Sequence, residues 1–522
     1  MWPGKHALER PDQAAYVMAA TGETVTYRQL NDRSNQLARC FFDAGLRFGD
    51  HIAVFMENRS EFFEVCWAAQ RSGLSYTCIN WHFNAEETEY ILDDCDAQVL
   101  VISDTFGAVA AELTDKMPKV KLRLMVGATI ASSGKSGGYD SYEETRDRFP
   151  AEPLEEELEG TRMLYSSGTT GRPKGVRYKI SRQRIGDLPA EMGMMTAVWG
   201  MDENSVYLSP APMYHSAPLF YCMSTMRLGG TVIVMEQFDP QEALACIEKY
   251  RVTHSQWVPT MFVRMLKLPA DARTRHDLSS QRVAIHAAAP CSVEVKRKMI
   301  EWWGPIIDEY YAATEGTGAT YINSTDWLAH PGSVGKSMLG PIHILDDENN
   351  PMAPEEVGTV WFEPPANRPG FEYHKDEEKT RDSFNERGWS TVGDMGYLDR
   401  DGYLFLTDRR TFMIVSGGVN IYPQEAENVL INHPKVYDVA VFGIPDVEMG
   451  ERVHGVVQPT SWAEHGPELE RELLAYVQSQ LAHYKCPKAI DFDRELPREQ
   501  TGKLYKRLLR DRYWGNKTSR IV

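Results

Sequence analysis

The densest concentration of chemically useful groups is Tyr165-Ser166-Ser167-Gly168-Thr169-Thr170-Gly171-Arg172-Pro173-Lys174-Gly175-Val176. Its three glycines let backbone amides turn inward, four serine and threonine hydroxyls offer hydrogen bonds to phosphate oxygens, and Lys174 supplies a cation. A polar surface turn needs no such density, so the segment reads as a phosphate cradle. It is not a Walker loop, because G-x-x-x-x-G-K-[ST] does not occur. The Gly-Lys-Ser triplets at 134–136 and 335–337 both lack the upstream glycine at the required spacing. His215, taken by itself, reads as an ordinary core or surface histidine.

The elements that must hold such a loop alternate along the chain. Tyr27 to Gly45 carries Leu30, Leu37 and Phe41 at helical spacing, and Gly49-Asp50 turns into a strand at 52–55. A strand at 231–234, a helix start at Asp239-Pro240 and a helix over 241–250 repeat the alternation. So do a strand at 283–286, a helix over 292–303 and a strand at 306–311. Strands alternating with helices of this size indicate an α/β fold of layered sheets. Residues 132–138 read as a surface loop, and Glu155-Glu156-Glu157 as a solvated helix face. From Val357 to Leu406 short strands punctuated by Gly and Pro suggest a β-rich, barrel-like subdomain. After Asp408 a smaller α+β unit follows, with helices at 423–430 and 469–481 and strands at 436–444 and 489–492. No internal repeat is evident. The expected division is a large N-terminal domain over 1–408, with its β-rich part at about 340–408, and a small mobile C-terminal domain over 409–522.

Length and composition fit that plan. With 522 residues, 42% hydrophobic and 25% charged, the chain can bury several sizeable cores. A formal charge of -18 argues against a nucleic-acid partner, so an anionic nucleotide must be held by local cations and amides. The eight cysteines are scattered without a C-x-x-C pair, which points away from a disulfide framework or a zinc site. The first ten residues lack a signal-peptide apolar stretch, and no apolar run approaches a membrane span, so cytoplasm is the expected compartment.

The 165–176 segment resembles the signature loop of the adenylate-forming superfamily: acyl- and aryl-CoA synthetases, luciferases and peptide-synthetase adenylation domains. The resemblance extends over roughly residues 26 to 503. Thr26-Tyr27 with Leu30, Gly45 and Gly49-Asp50 is similar to the family's opening, and Pro212-Met213-Tyr214-His215-Ser216 to its aromatic-His motif. His286-Ala287-Ala288-Ala289-Pro290 stands where the family turns against adenine, and Tyr310-Tyr311-Ala312-Ala313-Thr314-Glu315 matches its Tyr-Gly-x-Thr-Glu. Thr391-Val392-Gly393-Asp394, then Asp408-Arg409 with Ser416-Gly417-Gly418, then Pro497 to Lys503 complete the order.

The resemblance implies an ATP-dependent acyl-CoA synthetase with ATP, Mg²⁺ and coenzyme A as cofactors and a small carboxylic acid as partner. Self-association is left open. Ser166, Ser167, Gly168, Thr169, Thr170 and Lys174 would enclose phosphate. Ala287, Ala288, Ala289, Tyr311 and Ala312 would hold adenine, Thr314 would contact phosphate, and Glu315 would hold Mg²⁺. Asp394 would accept from both ribose hydroxyls, and Arg409 would add a fixed donor. Gly417 and Gly418 would border the CoA arm. His215, Trp257 and Tyr310 would line the acyl pocket. Attack brings a carboxylate onto a phosphate, and Lys503 would offset that repulsion between two anions. A rotation of the C-terminal domain would then withdraw the lysine and admit the thiol.

Departures from the family pattern accompany the match. Thr411 stands at the hinge, where Asp or Lys is usual, with Phe412 beside it. Val415 replaces a lysine of some aryl-CoA ligases, and Ala312 the usual glycine. Tyr310 stands where some relatives have a small residue, which favours a compact, branched, aromatic or medium-chain acid. Rival readings are an adenylating enzyme with a non-CoA acceptor, an amino-acid adenylation domain, a luciferase-like oxygenase and a nucleotide-binding pseudoenzyme. The aromatic-His motif lacks the acidic residue that would bind an amine. The joint presence of Lys174, Glu315, Asp394 and Lys503 disfavours the pseudoenzyme.

Overall fold

The computed structural model describes residues 1–128, 135–166, 173–178, 181–187, 192–365, 370–409, 412–417, 419–498 and 504–514. The chain divides into two compact units. The first comprises Met1–Gln256, Pro269–Ala284 and Pro369–Arg381, and the second Trp257–Leu268, Ile285–Arg368 and Asp382–Val522. Among the described residues no helix is long and apolar enough to cross a membrane.

In the first unit, a seven-stranded sheet runs in the order Lys135–Ser136, Tyr139–Ser141, Leu122–Val126, Ala97–Ser103, His51–Phe55, Ser75–Cys78, Thr161–Arg162. Its inner strands are parallel, and His51–Phe55 is buried along its whole length. Parallel strands are covered on both faces, which is why this one reads as a continuous apolar run. Val206–Ser209, Thr231–Val234 and Ala14–Met18 pair in parallel in a second sheet. Helix starts carry their own signals. Thr26 and Gln29 form a capping box for the helix Tyr27–Asp43, and Asp239 caps Pro240–Tyr250 by accepting from Gln241 and Glu242 amides.

Two expectations are corrected here. Lys135–Ser136 is not loop but a short strand, paired antiparallel with Tyr139–Ser141 across a turn at Gly137 and Gly138, both with positive φ. Glu155 to Glu157 is not helical, and Glu157 is not merely solvated. Its Oε1 accepts from Nε of the buried Arg71 at 2.7 Å, so burial of one charge has recruited the other.

In the second unit the strand Ile307–Ala312 pairs antiparallel with Ala319–Ile322. Ile342–Leu345, Gly358–Phe362, Asp394–Leu398 and Leu404–Arg409 form a four-stranded antiparallel sheet. A five-stranded sheet follows, built around the long hairpin Val436–Asp446 and Gly450–Pro459. The helices Pro423–Leu430 and Pro467–Gln478 cover one face of it through Leu430, Val441, Val457 and Leu473. Large apolar side chains buried in this way each contribute roughly 1.5–3 kcal/mol.

Candidate functional site

In the first unit the stem of the 165–176 segment is a hairpin. Leu164–Ser166 pairs antiparallel with Lys174–Arg177, with Ser166 opposite Lys174, and Glu372–Tyr373 adds a third strand. Ser167, Gly168, Thr169 and Thr170 lie outside the described residues. Gly175 is closely packed: a Cβ there would sit 3.1 Å from the Tyr165 ring and 3.3 Å from His374 Cβ, so a larger residue would need both neighbours to shift. The Tyr165 hydroxyl donates to Asp94 Oδ2 at 2.5 Å, and the Tyr90 hydroxyl to Pro173 O at 3.2 Å, so both stem strands are pinned at the base of the loop. Lys174 Nζ donates to Asp376 Oδ2. That bond raises the lysine pKa and lowers that of Asp376. The cation is therefore held beside the loop by an acid that sequence reading did not find.

His215 precedes the helix Ser216–Leu228 and is half-buried, its ring 4.2 Å from that of Tyr214. The loop before it is braced by Asn58, a buried residue absent from the sequence-based set. Asn58 Nδ2 donates to Ala211 O at 3.1 Å and to Met235 O at 2.9 Å, and its Oδ1 accepts from Met213 N at 2.8 Å. A single asparagine carries no sequence signal; only the fold reveals the brace.

In the second unit the expected nucleotide residues come from adjacent elements. The strand Ile307–Ala312 ends in Tyr311 and Ala312. The Tyr311 hydroxyl donates to Asp394 Oδ2 at 2.5 Å, and Asp394 stands directly opposite Arg409 across an antiparallel pair. Tyr311, Asp394 and Arg409 thus share one place in the fold. Asp394 and Glu315 are nearly buried, at 7% and 8% exposure, while Tyr310 and Thr314 are half-buried and Ala312 is exposed. The turn after the strand Val283–His286 holds Ala287 and Ala289, with Ala288 at φ 76°. Only a few per cent of non-glycine residues adopt positive φ, and such conformations cluster at functional sites. Ala287 N donates to the carbonyl of the buried Trp257 at 3.3 Å.

Gly417, at φ 56°, turns between Ile414–Ser416 and Val419–Ile421, and its amide donates to Met449 O at 2.8 Å. The positive φ at this turn is a conformation that glycine adopts without steric cost. Gly418, Thr411 and Lys503 lie outside the described residues. The chain flanking Lys503 is well held. Arg498 donates to both oxygens of Asp438, at 2.5 and 2.7 Å, and Lys506 Nζ lies 2.9 Å from Glu427 Oε1.

A family model described as AMP-binding enzyme matches residues 4–371, and one described as AMP-binding enzyme C-terminal domain matches 425–503. The chain belongs to the AMP-binding enzyme family. It is 30% identical to the fatty acid–[acyl-carrier-protein] ligase ScoC of Streptomyces coeruleorubidus, over 99% of this chain and 96% of that one. It is also 30% identical to the long-chain-fatty-acid–CoA ligase FadD13 of Mycobacterium tuberculosis, over 98% and 97%. Among solved structures it resembles ATP-bound MatB from Rhodopseudomonas palustris, with a TM-score of 0.80 and 25% identity over 99% of each chain. MenE from Bacillus subtilis, holding its acyl-adenylate intermediate OSB-AMP, gives 0.80 and 25% over 98% of each. This AMP-binding enzyme is therefore an enzyme of the acid ligase class that works through acyl-adenylates. Its α/β fold, with a large N-terminal part and a smaller C-terminal domain, is that of the superfamily.

Proposed function

We propose that this AMP-binding enzyme is an ATP-dependent acid–CoA ligase for a compact acid. Carboxylic acid and ATP would give acyl-AMP and pyrophosphate, and acyl-AMP and CoA would then give acyl-CoA and AMP. The observation that carries the reading is the Tyr311–Asp394 hydrogen bond with Arg409 opposite. A carboxylate has about four acceptor positions. Tyr311 occupies one and fixes the orientation of the carboxylate that would accept from the ribose hydroxyls, and Arg409 is its register partner on the facing strand. Ala287, Ala288, Ala289, Tyr311 and Ala312 would hold the base, and Thr314, Ser166–Thr170 and Lys174 the phosphates.

The carboxylate of Glu315, close to the candidate base site in sequence, is an oxygen ligand of the kind Mg²⁺ takes. Bound there, Mg²⁺ would supply positive charge near the leaving phosphates. Lys503 would bridge the attacking carboxylate and the α-phosphate, and Gly417 and Gly418 would border the thiol arm. The working division is 1–408 for the AMP-binding domain, with 340–408 its β-rich part, and 409–522 for a mobile C-terminal domain. His215, Trp257 and Tyr310 would shape the acyl pocket. The acid would be compact, branched, aromatic or medium-chain. OSB-AMP in the similar MenE structure supports an aromatic member. The name of ScoC favours one variant, in which the thiol is carried by an acyl-carrier protein.

Incubating the enzyme with ATP and a panel of acids, with and without CoA, tests the reading. Acid-dependent pyrophosphate release without CoA, and thioester formation with it, are the expected results. Adenylation without thioester would transfer the acceptor to a carrier protein; no adenylation of any acid would overturn the proposal. In the same panel Tyr310→Gly should raise kcat/KM for longer linear acids about 10–100-fold relative to the best compact one, since overpacking costs ~1–3 kcal/mol.

A further inference from the structure

Directly before the Ala287–Ala289 turn lies a buried polar cluster that none of these roles uses. His286 ends the strand Val283–His286, Lys296 lies on the helix Val293–Trp303, and Glu309 on the strand Ile307–Ala312. His286 and Lys296 are 0% exposed and Glu309 6%. Lys296 Nζ donates to Glu309 Oε2 at 2.6 Å. His286 Nε2 lies 3.4 Å from the same oxygen without hydrogen-bond alignment, and among the described residues neither ring nitrogen has a hydrogen-bond partner.

A polar ring buried with an unused nitrogen is costly unless something else satisfies it. The proton distribution follows from the neighbours. Burial opposes ionisation of Glu309, but Lys296 and then His286 outweigh it and bring the carboxyl to about 2. Burial lowers the His286 pKa and keeps the ring neutral. The single ring proton then belongs on Nε2, facing the carboxylate, which leaves Nδ1 as a bare acceptor. Glu309 is already neutralised by Lys296, so the cluster has no spare negative charge with which to hold an ammonium group. What it suits is a neutral donor, a hydroxyl. The surroundings are aromatic. Phe262 stands edge-to-face on the imidazole at 5.5 Å, and Trp303 stands edge-to-face on Phe262 at 6.2 Å and on Trp257 at 5.4 Å.

We propose that His286 is a specificity-determining residue whose Nδ1 accepts a hydrogen bond from a hydroxyl on the acyl part of the substrate, making hydroxylated aromatic acids the preferred class. The proposal rests on the acid–CoA ligase reading and narrows it. A site built to pair with a hydroxyl rejects the analogue lacking it, because the buried acceptor stays unpaired when the analogue is bound.

The test compares matched pairs that differ by one hydroxyl: 2-, 3- and 4-hydroxybenzoic acid against benzoic acid, and 4-hydroxycinnamic against cinnamic acid. Acid-dependent pyrophosphate release and thioester formation are the readouts. The parent should favour at least one hydroxylated member about 10–100-fold in kcat/KM. His286→Phe should collapse that ratio towards one, while His286→Gln, which retains an acceptor oxygen, should keep part of it. A purely packing role would lower both members of a pair together and leave the ratio unchanged, which overturns the proposal. If His286→Phe does not fold, the His286→Gln ratio decides: retention of some preference supports the proposal, and a ratio identical to the parent's overturns it. Equal turnover of hydroxylated and plain acids by the parent sinks this inference alone. Absence of adenylation with every acid sinks the ligase reading beneath it.

Discussion

The hydroxyl of Tyr311 and the carboxylate of Asp394 are the pair whose geometry most limits the candidate site. A carboxylate on a strand can rotate about χ2; one that accepts from a tyrosine at 2.5 Å is held in one orientation. That orientation matters only if the remaining lone pairs must meet a ligand. Tyr311→Phe keeps the ring and its neighbour Phe362, 6.1 Å away, and deletes the bond alone. Hydrogen bonds to charged groups are worth ~1.5–3 kcal/mol, and part of that value lies in preorganising the carboxylate. KM for ATP should therefore rise about tenfold, with KM for the acid nearly constant. ATP-dependence curves measured at saturating acid check this. An unchanged KM for ATP would remove Asp394 from the ribose role.

At the scale of elements, residues placed far apart in sequence do the positioning. The strand pair Leu164–Ser166 and Lys174–Arg177 could form by itself, but its lysine is held by Asp376, which lies some two hundred residues later. The loop bearing His215 is held in the same manner by Asn58, whose amide serves Ala211, Met213 and Met235 together. Removing it strands an amide and two carbonyls in a buried place. Each unsatisfied group costs ~1–3 kcal/mol, so Asn58→Ala should lose about 2–4 kcal/mol of stability once water recovers part of the deficit. If the loop positions the acid, kcat/KM for the acid should fall several-fold while KM for ATP holds. Asn58→Asp should be worse, because it sets a carboxylate against two carbonyl oxygens. Chemical denaturation and acid-saturation kinetics on both variants test this. A variant as stable and as active as the parent would show that the loop needs no brace.

Over the whole molecule, what was legible in the sequence was what local physics decides. The helices capped by Asp239 and Ser292 begin where their caps stand, and the strand at 283–286 was read to the residue. Pairings between distant residues were not legible, because Arg71 with Glu157, Asp376 with Lys174 and Asp438 with Arg498 carry no periodicity. The same contrast bears on Lys503, whose motif was plain while its supports were not. Arg498 and Lys506 fasten the chain on both sides of that motif to Asp438 and Glu427. Neither bond involves Lys503, so Lys503→Ala should leave the C-terminal body folded and change only the chemistry. In the proposed scheme its cation offsets repulsion between two anions during adenylation and has no part in thiol attack. Removing one such charge-stabilising donor costs roughly 10²–10³ in rate. Acid-dependent ATP–pyrophosphate exchange should fall by that factor, while supplied acyl-AMP is still converted to acyl-CoA near the parental rate. Measuring both half-reactions on one preparation, with thermal unfolding as the control for folding, decides the matter. Equal loss in both would mean that Lys503 serves the architecture or both steps, and the division of labour between the two half-reactions would have to be abandoned.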